Sequence, residues 1–198
     1  MNYIWDFDGT LYDTYPMMIK ALMKTFTEFS LPQEETKVYR KIKEDSIHQM
    51  IIDWQLPVPT FDETYHLYEA RNMNQSLPFK ETKEVLTGLK ANGGQHFILT
   101  HRQIAATWKL LERDGLDSLI TEVVGSDSDF PRKPDPAAIN YFIEKYQLDR
   151  EQTFMIGDRK LDIEAGNNAK TKTVFYDLDY FKQDINATYR INNLKEML

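Results

Sequence analysis

The sequence predicts an α/β fold: a Rossmann-like parallel sheet flanked by helices, with a small α-helical cap domain inserted after strand one. Three observations predict it. From Phe79 onward, short apolar runs alternate with helical patterns, the texture of a parallel sheet covered on both faces. One more strand-like run, Tyr3-Ile4-Trp5 with Phe7, stands by itself near the start. Between the two lies a stretch from Thr10 to Thr87 without a single glycine, in which apolar residues recur at helical spacing. The core is therefore expected in residues 1–13 and 80–198, and the cap in 14–79.

The first strand ends in the polar turn Asp8-Gly9-Thr10. Pro16 suits the first turn of a helix whose inward residues are Ile19, Leu22, Met23, Phe26 and Phe29. Val38, Ile42, Ile47, Met50, Ile51 and Trp54 make a second stripe, stopped by Pro57 and Pro59. Phe61, Tyr65, Tyr68 and Met73 mark a third, closed by Pro78. Such stripes are expected to pack as the core of a small bundle. A helix carrying Val85, Leu86 and Leu89 then stops at Gly93-Gly94, and a strand runs from His96 to Thr100. A helix over Ile104 to Arg113 and a β-branched strand over Ile120 to Gly125 follow. Asp135 and Pro136 can open a helix with Ile139, Phe142, Ile143 and Tyr146 inward. Phe154 to Gly157 reads as a strand entering a helix that ends near Gly166. Lys172 to Tyr176 reads as the last strand, before a short polar tail.

Composition narrows the function classes. With 198 residues, 41% hydrophobic and 28% charged, the chain suits one globular domain with an insertion. It has no cysteine, so a disulfide scaffold, a thiolate zinc site, an iron–sulfur cluster and a cysteine nucleophile are excluded. The net charge of −7 and the absence of a long basic run argue against nucleic acid and anionic membrane as partners. No apolar run reaches the ~20 residues of a membrane span. The start, MNYIWDFDGT, carries acids where a secretory signal would be apolar. A cytoplasmic location is the expectation.

In a parallel sheet, ligands bind beyond the carboxyl ends of the strands. Those ends present Asp6 and Asp8 after strand one, Thr100, His101 and Arg102 after the second strand, Lys133 in a loop after the third, and Asp158 with Asp162 after the fourth. Asp6 and Asp8 are two apart and point to one side of an extended strand, and Asp158 is expected to join them. Like charges 4 Å apart at an effective dielectric of 20 cost about 4 kcal/mol. A divalent cation relieves that cost, and all-oxygen ligation favours magnesium, which keeps room for phosphate oxygens. The Thr100 hydroxyl and the Lys133 ammonium suit those oxygens. An unperturbed aspartate ionises near pH 3.9, so Asp6 is expected as an anion. Arg102 is read either as a contact to a substrate phosphate or as a surface charge at a helix start. Arg159 and Lys160 are read as a positive field or as solvent-facing.

Four segments together resemble the haloacid dehalogenase superfamily in its branch of phosphoglycolate phosphatases and β-phosphoglucomutases, where a helical cap follows the first strand. They are Asp6-Phe7-Asp8-Gly9-Thr10-Leu11-Tyr12-Asp13-Thr14, Leu99-Thr100-His101, Lys133-Pro134-Asp135-Pro136 and Ile156-Gly157-Asp158-Arg159-Lys160-Leu161-Asp162, in the order of the family's motifs. The resemblance implies a magnesium-dependent phosphatase acting on a small phosphorylated metabolite through an aspartyl-phosphate. It implies Asp6 as nucleophile and metal ligand, and Asp8 as general acid and base with its main-chain carbonyl on the metal. Thr100 and Lys133 would hold phosphoryl oxygens and Asp158 the metal, with Asp162, Gly9, Thr10 and His101 in support. A phosphosugar mutase with the same intermediate is the alternative. A phosphorylated receiver module fits less well, since its acceptor does not lie on strand one and no helical insertion follows. The sequence sets neither the metabolite nor the oligomeric state.

Overall fold

A computed structural model of the chain describes residues 1–181 and 184–198, apart from the side chain of Met73. Among the described residues, six strands form one sheet: β1 (Asn2–Trp5), β4 (Gln95–Leu99), β5 (Glu122–Val124), β6 (Thr153–Gly157), β7 (Lys172–Tyr176) and β8 (Tyr189–Ile191). Their order is β5-β4-β1-β6-β7-β8, and every neighbouring pair is parallel. The short strands β2 (Tyr12–Asp13) and β3 (Leu77–Pro78) pair separately as a two-stranded ribbon.

The chain separates into two compact units, one of Met1–Tyr12 with Pro78–Leu198, the other Asp13–Leu77. The sequence reading expects the insertion over residues 14–79.

In the sheet unit, strand side chains alternate between faces. Ile4, Phe97, Leu99 and Met155 pack on one face with Ile139 and Phe142 of helix α7 (Ala137–Tyr146). On the other face, buried His96 accepts from Trp5 Nε1 at 3.1 Å and donates from Nε2 to the Leu86 carbonyl of helix α5 (Thr82–Ala91) at 3.0 Å. Helix α6 (Ile104–Arg113) and helix α8 (Lys160–Asn168) complete the alternation. Strands β1, β4 and β6 are the central ones, with Trp5 in register with both Ile98 and Ile156. All carboxyl ends of a parallel sheet lie at one edge, so the residues just past these positions become neighbours.

The unit Asp13–Leu77 contains helices α1 (Tyr15–Glu28), α2 (Glu35–Glu44), α3 (Ile47–Asp53) and α4 (Thr60–Asn72). Their apolar stripes bury Leu22, Phe26, Val38, Ile42, Met50, Phe61 and Tyr65 in one cluster. The second predicted stripe is two helices. The backbone leaves the helical region at Asp45, and Ser46 accepts from Gln49 N at 3.0 Å, capping a new start. An apolar stripe can run across such a break, which is why periodicity alone joined them. The tail also differs from expectation: β8 adds a parallel edge strand to β7, with Asp177 N donating to the Ile191 carbonyl at 2.8 Å. Its three residues are too few for a periodic signal. No helix among the described residues is long and apolar enough to cross a membrane.

Candidate active site

Asp6 is the first residue after β1, and its N–H donates to the Ile156 carbonyl at 2.8 Å. That bond continues the β1–β6 ladder and seats Asp6 among the ends of β4 and β6. The chain then turns sharply: Leu11 N and Tyr12 N both donate to the Phe7 carbonyl, and Gly9 N donates to the Tyr12 carbonyl. Gly9 has φ of 80°, a left-handed conformation that glycine adopts without steric cost. Phe7 stacks on Tyr12 with ring centroids 4.3 Å apart and locks the turn from beneath.

Lys133 lies almost wholly buried between carboxylates. Its Nζ is 2.5 Å from Asp6 Oδ1 and 2.6 Å from Asp162 Oδ1, and it donates to the Leu99 carbonyl at 3.0 Å. The second oxygen of Asp6, Oδ2, is buried with no hydrogen-bond partner. Asp6, Asp158 and Asp162 each offer a carboxylate oxygen, all within 4.8 Å of one another and all buried. Thr10 Oγ1 donates to Asp158 Oδ1 at 3.3 Å.

Asp162 is held by local structure. As the third residue of α8 it accepts from Arg159 N through Oδ2 at 3.0 Å, the reciprocal half of a capping box. Its approach to the sheet needs a glycine at 157. A Cβ there would lie 2.3 Å from the Asp162 Cβ and 2.5 Å from its Cγ.

Excess negative charge dominates the electrostatics. Burial, then the Asp162 carboxylate, pushes the Asp6 pKa up to about 8, with Asp158 adding and Lys133 and Arg159 opposing. Burial opposes the charge on Lys133, but Asp162 and Asp6 outweigh it and raise its pKa. One ammonium shared by two carboxylates stays charged and still leaves Asp6 short of compensation. The expectation of an Asp6 that ionises near 3.9 is therefore corrected: in this environment its anion needs further positive charge. A buried oxygen without a partner, beside two more carboxylates, fits a small hard cation.

Thr100 is buried just past β4 and accepts from Arg102 N at 3.1 Å, which leaves its O–H as the donor. His101 is half-buried, and its Nε2 is buried without a partner. Burial, then Lys133, Arg159 and Arg132, push its pKa down, so it is neutral. The Asp8 carboxylate stands apart from the buried acids: Arg102 donates to its Oδ1 from Nη2 at 2.6 Å and from Nε at 3.2 Å.

A haloacid dehalogenase-like hydrolase family model matches residues 3–176. The chain belongs to that family. Among curated proteins this hydrolase is 28% identical to a phosphoglycolate phosphatase of Psychrobacter arcticus, over 92% of its own length and 86% of the relative's. Among solved structures it is 35% identical to a hydrolase from Streptococcus pneumoniae TIGR4, covering 87% and 90% of the two chains at a TM-score of 0.63. Another haloacid dehalogenase-like hydrolase of Streptococcus pneumoniae, 19% identical, covers 98% and 95% at a TM-score of 0.83, which shows the shared fold.

Of the residues singled out in the sequence, the structure brings Asp6, Thr10, Lys133, Asp158 and Asp162 into one cluster. The third carboxylate of that cluster is Asp162, not Asp8 as strand alternation suggested. The strand ends at Trp5, so alternation no longer governs where Asp8 points. Arg102 is neither at the surface nor loose, and Arg159 is buried rather than solvent-facing. Lys160 does face solvent, 3.6 Å from Glu164. An acid at the third position of the predicted helix is the one local signal for Asp162 turning back to its own helix start, and it is a weak one because Arg159 at the N-cap has no acceptor to complete a capping box.

Proposed function

We propose that this hydrolase is a magnesium-dependent phosphatase that cleaves a small phosphorylated metabolite through an aspartyl-phosphate on Asp6. The observation that carries the reading is Asp6 itself, with Lys133 on one carboxylate oxygen and the other buried, unpartnered and beside Asp158 and Asp162. Asp6, Asp158 and the main-chain carbonyl of Asp8 would hold magnesium, with Asp162 in support, and the ion would offset their repulsion and that of the phosphoryl oxygens. Asp6 attacks phosphorus, the P–O bond to the leaving group breaks, and Asp8 supplies the leaving oxygen with a proton. Asp8, now a carboxylate, takes a proton from water as that water displaces Asp6. Inorganic phosphate leaves and both acids are restored. The Thr100 O–H and the Lys133 ammonium stabilise the equatorial oxygens in both steps.

The helical unit Asp13–Leu77 is proposed as the cap whose contacts select the metabolite. Phosphoglycolate is the first candidate, because the Psychrobacter arcticus relative carries that name. The test is phosphate release from a panel of phosphorylated metabolites that includes phosphoglycolate and glucose phosphates, with magnesium or with excess EDTA. Turnover that requires magnesium supports the reading. Full activity in EDTA would remove the metal from it, and interconversion of glucose phosphates without phosphate release would replace hydrolysis with a mutase.

A further inference from the structure

We infer that Arg102 is a positioning residue that sets the orientation of the Asp8 carboxylate, and so governs proton transfer to the leaving group. The inference rests on the assignment of Asp8 as general acid and base above.

Three observations lead there. The guanidinium donates twice, from Nη2 at 2.6 Å and from Nε at 3.2 Å, and both bonds end on the same oxygen, Asp8 Oδ1. The Arg102 and Asp8 side chains retain only 6% and 15% of their exposure, so the pair is largely withdrawn from the solvent that weakens a surface ion pair. The Arg102 main chain is fixed at both ends. Its N–H donates to Thr100 Oγ1 at 3.1 Å, and its carbonyl accepts from Ser126 N at 3.0 Å. A Cβ on Gly125 would come within 2.5 Å of that carbonyl. The face of Phe7 lies 5.9 Å from the guanidinium carbon, so the residue between the two aspartates also helps to place the arginine.

A planar fork of donors fixes a carboxylate in a way a point charge cannot. With Oδ1 held, rotation of the Asp8 carboxyl is restricted and Oδ2 is the oxygen that exchanges the proton with the leaving group. The same residue orients the Thr100 hydroxyl through its N–H. Arg102 thus ties the proton donor of the reaction to a phosphoryl-oxygen donor, with no requirement that it touch substrate.

The experiment uses full-length Arg102→Met and Arg102→Lys, with wild type, Asp8→Asn and the Asp8→Asn/Arg102→Met double variant, each shown to be folded by its thermal transition. KM, and the rate of phosphoryl transfer in a rapid-mixing single turnover, are measured for p-nitrophenyl phosphate, whose leaving group departs without a proton, and for an alkyl phosphate, whose leaving group needs one. Arg102→Met should lose about 100-fold in the phosphoryl-transfer rate on the alkyl ester, within the roughly 10²–10⁴-fold range of general acid catalysis, and several-fold at most on the nitrophenyl ester. Arg102→Lys should recover part of the alkyl activity, and the double variant should lose no more than Asp8→Asn. Equal losses on both esters, or a rise in KM alone, would make Arg102 a structural or phosphate-binding residue and overturn the inference. A wild type that releases phosphate from neither ester would overturn the phosphatase reading, and this inference with it. Should Arg102→Met not fold, Arg102→Lys carries the same comparison, and an unchanged ratio between the esters overturns the inference.

Discussion

Asp6 and Asp8 are chemically identical and two residues apart, yet their surroundings differ, and the proposed mechanism gives them different roles: nucleophile and proton donor. Asp6 is clasped by Lys133 and crowded by two carboxylates, while Asp8 faces a guanidinium. Asp6→Asn removes the attacking oxygen anion, so neither a phosphoenzyme nor a burst of nitrophenol should form. Asp8→Asn keeps the nucleophile and removes the proton donor. It should transfer the phosphoryl group from p-nitrophenyl phosphate once, then stall, because water activation still needs the carboxylate. Rapid mixing with magnesium present checks this, and bursts of equal size from the two variants would refute Asp6 as nucleophile. The identities of both acids were legible in the sequence, since they sit in a motif at a strand end. The partner of Asp8 was not, because Arg102 is 94 residues away in the chain and comes near only through the β1–β4 register.

Two short elements hold the site and the helical unit to their geometry. The first turn of α8 carries Asp162 under the Gly157 backbone. Gly157→Ala puts a methyl carbon where the Asp162 Cβ already lies, 2.3 Å away, so the helix start has to move. Overpacking of this kind costs typically 1–3 kcal/mol. The midpoint of urea unfolding should fall, and activity should fall further than stability does, because the displaced group is one of the three buried acids. At the other element, Ser46→Ala removes the hydroxyl that caps α3 at Gln49 N. The expected loss is about 1 kcal/mol, read from the same urea midpoint, with activity at low temperature unchanged. The α2–α3 break was invisible to periodicity, although Ser46 is a residue type that starts helices. The apolar stripe continued through it, and burial against one common core is what a stripe records.

Over the whole molecule, buried groups set opposing pH slopes. His96 is held neutral by burial, with its pKa lowered from 6.5 to about 4. Its unfolded form binds more protons between those values, so stability is lost as pH falls through that window, by up to about 3 kcal/mol. Asp6 runs the other way. Its pKa is raised from 3.8 to about 8, so the folded state binds more protons in between and stability is lost as pH rises. Without metal, His96 and His101, whose pKa is likewise pushed down, together outweigh Asp6 from about pH 4 to 6.5, so stability should rise with pH there, and the Asp6 slope alone should lower it from there to about pH 8. If the acids hold magnesium as proposed, the ion binds their ionised form and should lift the melting temperature most at the alkaline end. Asp6→Asn should abolish the alkaline decline in EDTA. Melting temperatures from pH 4 to 9, in EDTA and in magnesium, check both signs. A decline equally steep in Asp6→Asn would assign it to other groups.

The sequence by itself determined the alternation of strand and helix, the place of the helical insertion in chain order, and the four segments that carry Asp6, Thr100, Lys133 and Asp158. These are local: strand and helix periods, caps, prolines and a glycine turn are written in neighbouring residues. Only the tertiary structure decided that Asp162 rather than Asp8 completes the buried carboxylate cluster, that Arg102 grips Asp8, that Asp6 is pushed toward its neutral form, and that Tyr189–Ile191 extends the sheet. The reason is that each of these depends on which distant groups share one small volume. Strand register fixes that sharing, and the energy of a buried charge follows from it, whereas local pattern carries no record of either.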